Sequence, residues 1–141
     1  MTIALSTTLR TSFDEAVQRT RTALAQQGFG VLTEIDMKAT LKAKLGEDME
    51  EYLILGACNP PLAHQAVNVD RQIGLLLPCN VVVRADPTDN KTVIVDAMNP
   101  RLLVEVSGEP ALEGVAAEVS AKLQAAIDSL AATSESSVTA L

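Results

Sequence analysis

The residues best suited to chemistry in this sequence are two cysteines, each followed by an asparagine. Cys58 and Asn59 precede a pair of prolines, and Cys79 and Asn80 directly follow Pro78. A thiolate is a nucleophile and a metal ligand, and an asparagine amide both donates and accepts hydrogen bonds. The two Cys-Asn pairs therefore define the first candidate site, where a small polar or anionic ligand would bind.

Cys58 is expected where a strand leads into a helix, because Asn59-Pro60-Pro61 is typical of a helix start. Unpaired N–H groups and the helix dipole favour an anion there, which would stabilise a thiolate. The alternative is that both cysteines are small core residues, since cysteine is among the most often buried residue types. If their two strands are neighbours, the thiols approach each other, although sequence alone does not establish a disulfide.

His64 is the only histidine and lies six residues after Cys58. It would act as a base for a thiolate, or complete a Cys₂His metal site with Cys58 and Cys79. The spacing matches no known metal or protease motif, and the plain alternative is a partly exposed histidine without such a role. No tightly bound metal is expected, and the identity of any cofactor is left open.

Lys38 and Lys42 share one face of a predicted helix at a spacing of four residues. They would attract an acidic substrate beside Cys58. The alternative is a solvated face that is balanced by the acidic residues at 47–51. For Asn59 and Asn80 the alternative to a binding role is a cap or a turn residue.

The composition limits the class of protein. The chain has 141 residues, a length typical of one domain, and its net charge is −7. Without a basic stripe, and with one tyrosine, two phenylalanines and no tryptophan, it is not expected to bind nucleic acid. No apolar run is long enough to cross a bilayer, and no signal peptide is recognised. Two unpaired cysteines then predict a cytoplasmic protein that binds no membrane.

The elements that must position these residues follow from hydrophobic periodicity. Alternation predicts strands over 2–9 and 29–35, and a continuous apolar run predicts an interior strand over Tyr52–Cys58. A further strand is expected over 75–84, paired in a hairpin with 92–97. Pro78 lies inside that strand, which predicts a sheet edge or a bulge because proline cannot donate to the ladder.

Helices are expected after the capping residues Ser12, Asp36 and Asn59, and a long amphipathic helix is expected from Pro110. The whole is an α/β (α+β) chain, a two-layer sandwich of a roughly five-stranded mixed sheet and about four helices. Residues 1–131 are predicted to form one domain, and 132–141 a Ser/Thr/Ala-rich tail.

Three segments, 38–46, 52–60 and 74–83, resemble the domain of unknown function 302 family. The resemblance covers roughly Leu9 to Ala131. It implies a small two-layer α/β domain that pairs as a homodimer. It implies no established activity, cofactor or catalytic residue.

Three functions remain open at this point. The first is a homodimeric domain that binds a small polar or anionic ligand with Cys58, Asn59, Cys79, Asn80, Lys38 and Lys42. The second is a thiol enzyme or redox protein that uses Cys58 as nucleophile, Cys79 as resolving thiol and His64 nearby. The third is a protein-interaction module. The homodimer is also expected from a mean hydropathy of +0.20 and from the apolar run 75–77, which would need cover on both faces.

Overall fold

The computed structural model describes residues 2–139, and it describes side chains as far as residue 131. Two 3₁₀ helices occur, at Arg71–Leu76 and Pro110–Leu112. The strands of the described chain are β1 (Ala4–Leu9), β2 (Gly30–Asp36), β3 (Tyr52–Cys58), β4 (Cys79–Asp86) and β5 (Asp89–Met98). Its α-helices are α1 (Phe13–Gln26), α2 (Met37–Leu45), α3 (Pro60–Val69), α4 (Arg101–Ser107) and α5 (Glu113–Thr139).

The five strands form one sheet in the order β1-β5-β4-β3-β2. This confirms the α/β class, but each pair of neighbours is antiparallel, so the prediction of a mixed sheet was wrong. The physical reason lies in α1, which carries the chain from β1 at one edge to β2 at the other. The two strands that a β-α-β unit would have paired in parallel therefore never meet.

The core lies between the sheet and a layer that contains α1 and α5. Leu55, Val83 and Val95 contribute to it from three adjacent strands, and each is fully buried. The apolar stripe predicted for the last helix is buried at every position, which confirms its periodicity. The stripe consists of Leu112, Val115, Ala116, Val119, Leu123, Ala126, Ile127 and Leu130.

Three helices begin where their capping residues predict. Ser12, Asp36 and Asn59 each accept a hydrogen bond from the backbone N–H three residues later, at 3.1, 2.9 and 3.4 Å. Each bond satisfies an N–H group that the helix itself leaves without a partner. These starts depend on neighbouring residues only, and for that reason the sequence was sufficient to locate them.

The strand expected over 75–84 was predicted too long. Its first residues belong to the 3₁₀ helix, and Leu75 is 86% exposed. Pro78 directly precedes β4, which lies inside the sheet between β3 and β5, so neither a sheet edge nor a bulge follows from it. An interior strand tolerates proline immediately before its first residue, because no ladder N–H is needed there.

Helix α2 does not pack as an amphipathic helix would. None of the residues of α2 is buried, and Leu45 at its end is 67% exposed. The backbone of α5 continues to Thr139, past the predicted boundary at residue 131, while residues 140 and 141 lie outside the described chain. That domain boundary stays a prediction.

None of the described helices has both the length and the apolar character needed to cross a membrane.

Candidate functional site

The two cysteines lie on neighbouring strands. Cys58 ends β3 and Cys79 begins β4, and Ala57 is paired with Cys79 in the ladder. Both cysteines line one pocket, the thiol pocket, together with Leu62 and Ala66 of α3, Leu103 of α4 and Val119 of α5. Its interior offers about 20 Å³ to the centres of water molecules. About 10–15 Å³ on this measure holds one water, so the pocket admits a single small group.

The thiols differ in burial. Cys79 is 4% exposed, and burial, with the nearby Cys58 as a second cause, raises its pKa from 9.0 to about 11. Cys79 is therefore a neutral thiol at physiological pH, as expected of a core cysteine. Cys58 is half-buried, and both cysteines are free rather than joined in a disulfide. Strand alternation directs the Cys58 side chain to the opposite face of the sheet from Ala57 and Cys79, so Cys58 is the cysteine that is accessible from solvent.

The start of α3 does not supply the anion site that its position suggested. Pro60 and Pro61 occupy the first two positions and have no N–H. The N–H of Leu62 is donated to the Asn59 side chain, and the N–H of Ala63 to the Asn59 carbonyl at 2.9 Å. Among the described residues, this helix start therefore leaves no free N–H group for a thiolate or an anionic ligand.

Asn59 serves the fold at this point. Besides capping α3, its side-chain amide donates a hydrogen bond to the carbonyl of Gln27 at 3.4 Å. Gly28 in the same turn has φ +83°, and a Cβ atom there would lie 3.1 Å from the Asn59 amide nitrogen. Asn59 thus joins the start of α3 to the turn between α1 and β2.

Asn80 lies on the other side of the sheet from Cys79, since successive strand residues alternate between faces. It is exposed and is paired with Gly56. A Cβ atom at Gly56 would overlap Thr33 Oγ1 and lie 2.8 Å from Pro78 Cγ. Only glycine lets these two side chains pack so closely over β3. A lone glycine in an apolar strand is the signal for such close packing, and the sequence analysis missed it.

His64 does not meet the thiols. It is on the exposed side of α3, where its Nε2 lies 3.2 Å from Asn68 Nδ2, and it is not among the lining residues of the thiol pocket. Among the described residues, His64 is therefore not placed as a base for Cys58. In the described part of the chain, no group of three His, Cys, Asp or Glu residues is arranged to hold a metal ion.

The two lysines lie at the far end of β3. The helix that carries them follows Asp36, which is paired with Leu53, whereas Cys58 is paired with Gly30 at the opposite end. At about 3.3 Å per strand residue, these ends are roughly 16 Å apart. Lys38 and Lys42 form ion pairs with Glu51 at 3.6 Å and Asp48 at 3.0 Å, so they contact the acidic segment.

A second depression lies next to the thiol pocket and was not anticipated. This polar groove is lined by Gln26, Gln27, Gln65, Glu118 and Lys122, and it shares Asn59 and Leu62 with the thiol pocket. Measured in the same way, its volume is about 420 Å³. Its polar side chains come from α1, α3 and α5 and from the turn after α1, so no local motif could have indicated it.

Comparisons with known proteins identify a family and a similar solved structure. A family model described as domain of unknown function DUF302 matches residues 5–130. The crystal structure of an uncharacterized conserved protein DUF302 from Bacillus stearothermophilus is 31% identical, with a TM-score of 0.82 over 91% of this chain and 98% of that chain. The comparison with curated proteins gives no match. Neither description states a reaction or a ligand.

Proposed function

The chain belongs to the domain of unknown function 302 family, whose description states no reaction, and we propose from the site itself that the protein binds a thiol-reactive small molecule through Cys58. One observation carries the proposal: Cys58 is a free, half-buried cysteine at the end of β3, whereas Cys79 is free and buried. This arrangement favours the thiol hypothesis over the binding of a free polar or anionic ligand. The latter lacks support because the start of α3 has no free N–H among the described residues and Lys38 and Lys42 are remote.

The reaction that fits is thiol–disulfide exchange, which requires a thiolate and a low-molecular-weight disulfide but no neighbouring base. The Cys58 thiolate attacks one sulfur of R–S–S–R and forms a mixed disulfide. The other half leaves as R–S⁻ and takes a proton from water. The absence of His64 from the lining of the described pocket is therefore no obstacle.

Cys79 determines how long the mixed disulfide lasts. To resolve it, the Cys79 thiolate would have to attack the Cys58 sulfur and expel the second R–S⁻, although strand alternation directs the two side chains to opposite faces of the sheet. Because burial raises the pKa of Cys79 to about 11, this thiolate is scarce at neutral pH. The mixed disulfide is therefore the main product at pH 7, and the protein holds its ligand rather than turning it over.

The test uses 2-hydroxyethyl disulfide, a small neutral reagent, on the fully reduced protein at pH 7. Intact-mass and peptide mass spectrometry should find one mercaptoethanol group on Cys58 and none on Cys79. Cys79→Ser should react as the wild type does, and Cys58→Ser should not react. An adduct that forms only after denaturation would show that Cys58 is a core residue and would remove the proposal.

We also propose that the protein is a cytoplasmic homodimer that pairs through the second face of its sheet. Free cysteines support the location. The pairing is supported by an apolar row across three strands, in which Ile35 is paired with Ile54 and Ile54 with Val82. These residues point away from the core because Leu53 and Leu55 point into it. The run 75–77, named earlier as a reason for pairing, is not part of a strand.

Light scattering at low micromolar concentration should give twice the monomer mass of 14.9 kDa. Ile35→Lys, which puts a charge on the apolar row, should give the monomer mass. Leu75→Lys is the matched control, since Leu75 is exposed on the 3₁₀ helix outside this row. A wild-type mass of 14.9 kDa under these conditions would rule the dimer out.

A further inference from the structure

We infer that a groove between the 3₁₀ helix Arg71–Leu76 and α4 binds a basic amphipathic segment of a partner protein. The lining of this apolar groove includes Ile73, Leu75, Leu76, Val106 and Asp70. None of its described lining residues belongs to a strand, so the groove lies outside the sheet face proposed for pairing, and Cys58 takes no part in it. The binding is therefore separate from the thiol chemistry and from the homodimer.

Two large aliphatic side chains stand exposed at this groove. Leu75 is 86% exposed and Val106 is 63% exposed. They are held on a fixed support, because Ile73 in the same 3₁₀ helix is 1% exposed and belongs to the core. A single exposed leucine is ordinary, whereas exposed aliphatic side chains from two elements around one depression are typical of an interaction site.

The size of the groove favours side chains of a protein over a whole small molecule. Its volume is about 210 Å³. Small-molecule sites occupy roughly 300–1,000 Å³ and enclose most of their ligand. A helix that presents apolar side chains at positions i and i+4 needs only a short groove of this kind, which is a recurrent mode of peptide recognition.

The charges around the groove select a basic partner. Asp70 lines the groove and Glu105 is exposed on α4, and neither forms an ion pair within the chain as far as its side chains are described. The nearby cations are engaged elsewhere. Arg71 donates to Asn68 Oδ1 at 3.2 Å, and Arg101 forms an ion pair at 3.6 Å. With a net charge of −7, the protein attracts a cationic segment and repels an anionic lipid surface.

The experiment uses three fluorescent peptides of about 18 residues, a length sufficient for an amphipathic helix. The apolar face is leucine in all three, and the polar face is lysine, glutamine or glutamate. Fluorescence anisotropy should give micromolar affinity for the lysine peptide, affinity about threefold to tenfold lower for the glutamine peptide, and no binding of the glutamate peptide. Added salt should weaken the lysine peptide most.

Four variants localise the binding. Leu75→Ser and Val106→Ser replace exposed side chains, so the fold is retained, and each should weaken the lysine peptide about tenfold. Asp70→Asn should weaken it about threefold while keeping the hydrogen bond to the Gln72 N–H, since asparagine caps a helix as well as aspartate does. Leu45→Ser is the matched control, because Leu45 is 67% exposed on α2, away from the groove, and should leave the affinity unchanged.

Three results would overturn the inference. The first is no binding of the lysine peptide up to about 1 mM, or binding that Leu75→Ser and Leu45→Ser weaken equally. The second is equal binding of the lysine and glutamate peptides, which would remove the basic partner. The third is assembly of the protein alone beyond the homodimer, lost in Leu75→Ser, which would assign the groove to a second copy of this chain.

Discussion

Iodoacetamide at pH 7 is expected to alkylate Cys58 about a hundredfold faster than Cys79 in the folded protein, since only the thiolate reacts and its fraction sets the rate. With a pKa of about 11, Cys79 is thiolate in roughly one molecule in ten thousand at pH 7. Cys79 is also 4% exposed, while Cys58 is half-buried at the end of β3. Both the raised pKa and the burial of Cys79 therefore favour alkylation at Cys58.

The measurement is time-resolved labelling with mass-spectrometric assignment of each cysteine, in native and in denaturing solution. Denaturation should bring the two rates close together, because it removes the burial that distinguishes them. Cys79→Ser should keep the fast native reaction, and Cys58→Ser should abolish it. If neither cysteine reacts until the protein unfolds, both are core residues. The proposed thiol chemistry would then be abandoned.

Raising the pH from 9 to 11 should lower the free energy of unfolding by about 2 kcal/mol through Cys79 alone, at 1.36 kcal/mol per pKa unit. Burial raises the pKa of this thiol from 9.0 in the unfolded chain to about 11 in the fold. Below pH 9 the thiol is protonated in both the folded and the unfolded state, so it does not change the free energy of unfolding. Between these values the unfolded state loses the proton and the folded state keeps it, so stability falls as pH rises.

Denaturant unfolding at a series of pH values tests this, with the variants as controls. Lysines and Tyr52 also titrate in this range, so the quantity that matters is the difference in slope between wild type and Cys79→Ala. Cys79→Ala should lose this additional dependence of the unfolding free energy on pH, whatever its stability at any one pH. Cys58→Ser should retain most of it, because desolvation of Cys79 is the larger cause of the shift. Parallel curves for wild type and Cys79→Ala would contradict the burial of this thiol.

At the candidate site, the structure brings some of the predicted residues together and separates others. Cys58 and Cys79 do line one pocket. His64 is on the exposed side of α3, and Lys42 is at the far end of β3. Cys58 and His64 are six residues apart in the chain. This spacing does not indicate whether the His64 side chain, on α3, faces the strand that ends at Cys58. The expected N–H donors were absent because two prolines and the Asn59 cap use the same positions.

The sequence by itself determined the local elements of this protein. The helix caps at Ser12, Asp36 and Asn59, the strand Tyr52–Cys58 and the buried stripe of α5 all follow from residues within a few positions of one another. Hydrogen bonds of caps and the periodicity of side chains act over that same short range. For this reason the class of the fold could be predicted from one chain.

Only the tertiary structure decided which elements are neighbours. Strand order depends on how α1 crosses the sheet, and that crossing makes the sheet antiparallel and places β4, with Pro78 before it, in the interior. The polar groove arises in the same way, from the approach of α1, α3 and α5. Such contacts join residues far apart in the chain, and their energy comes from burial of the whole core rather than from any local pattern.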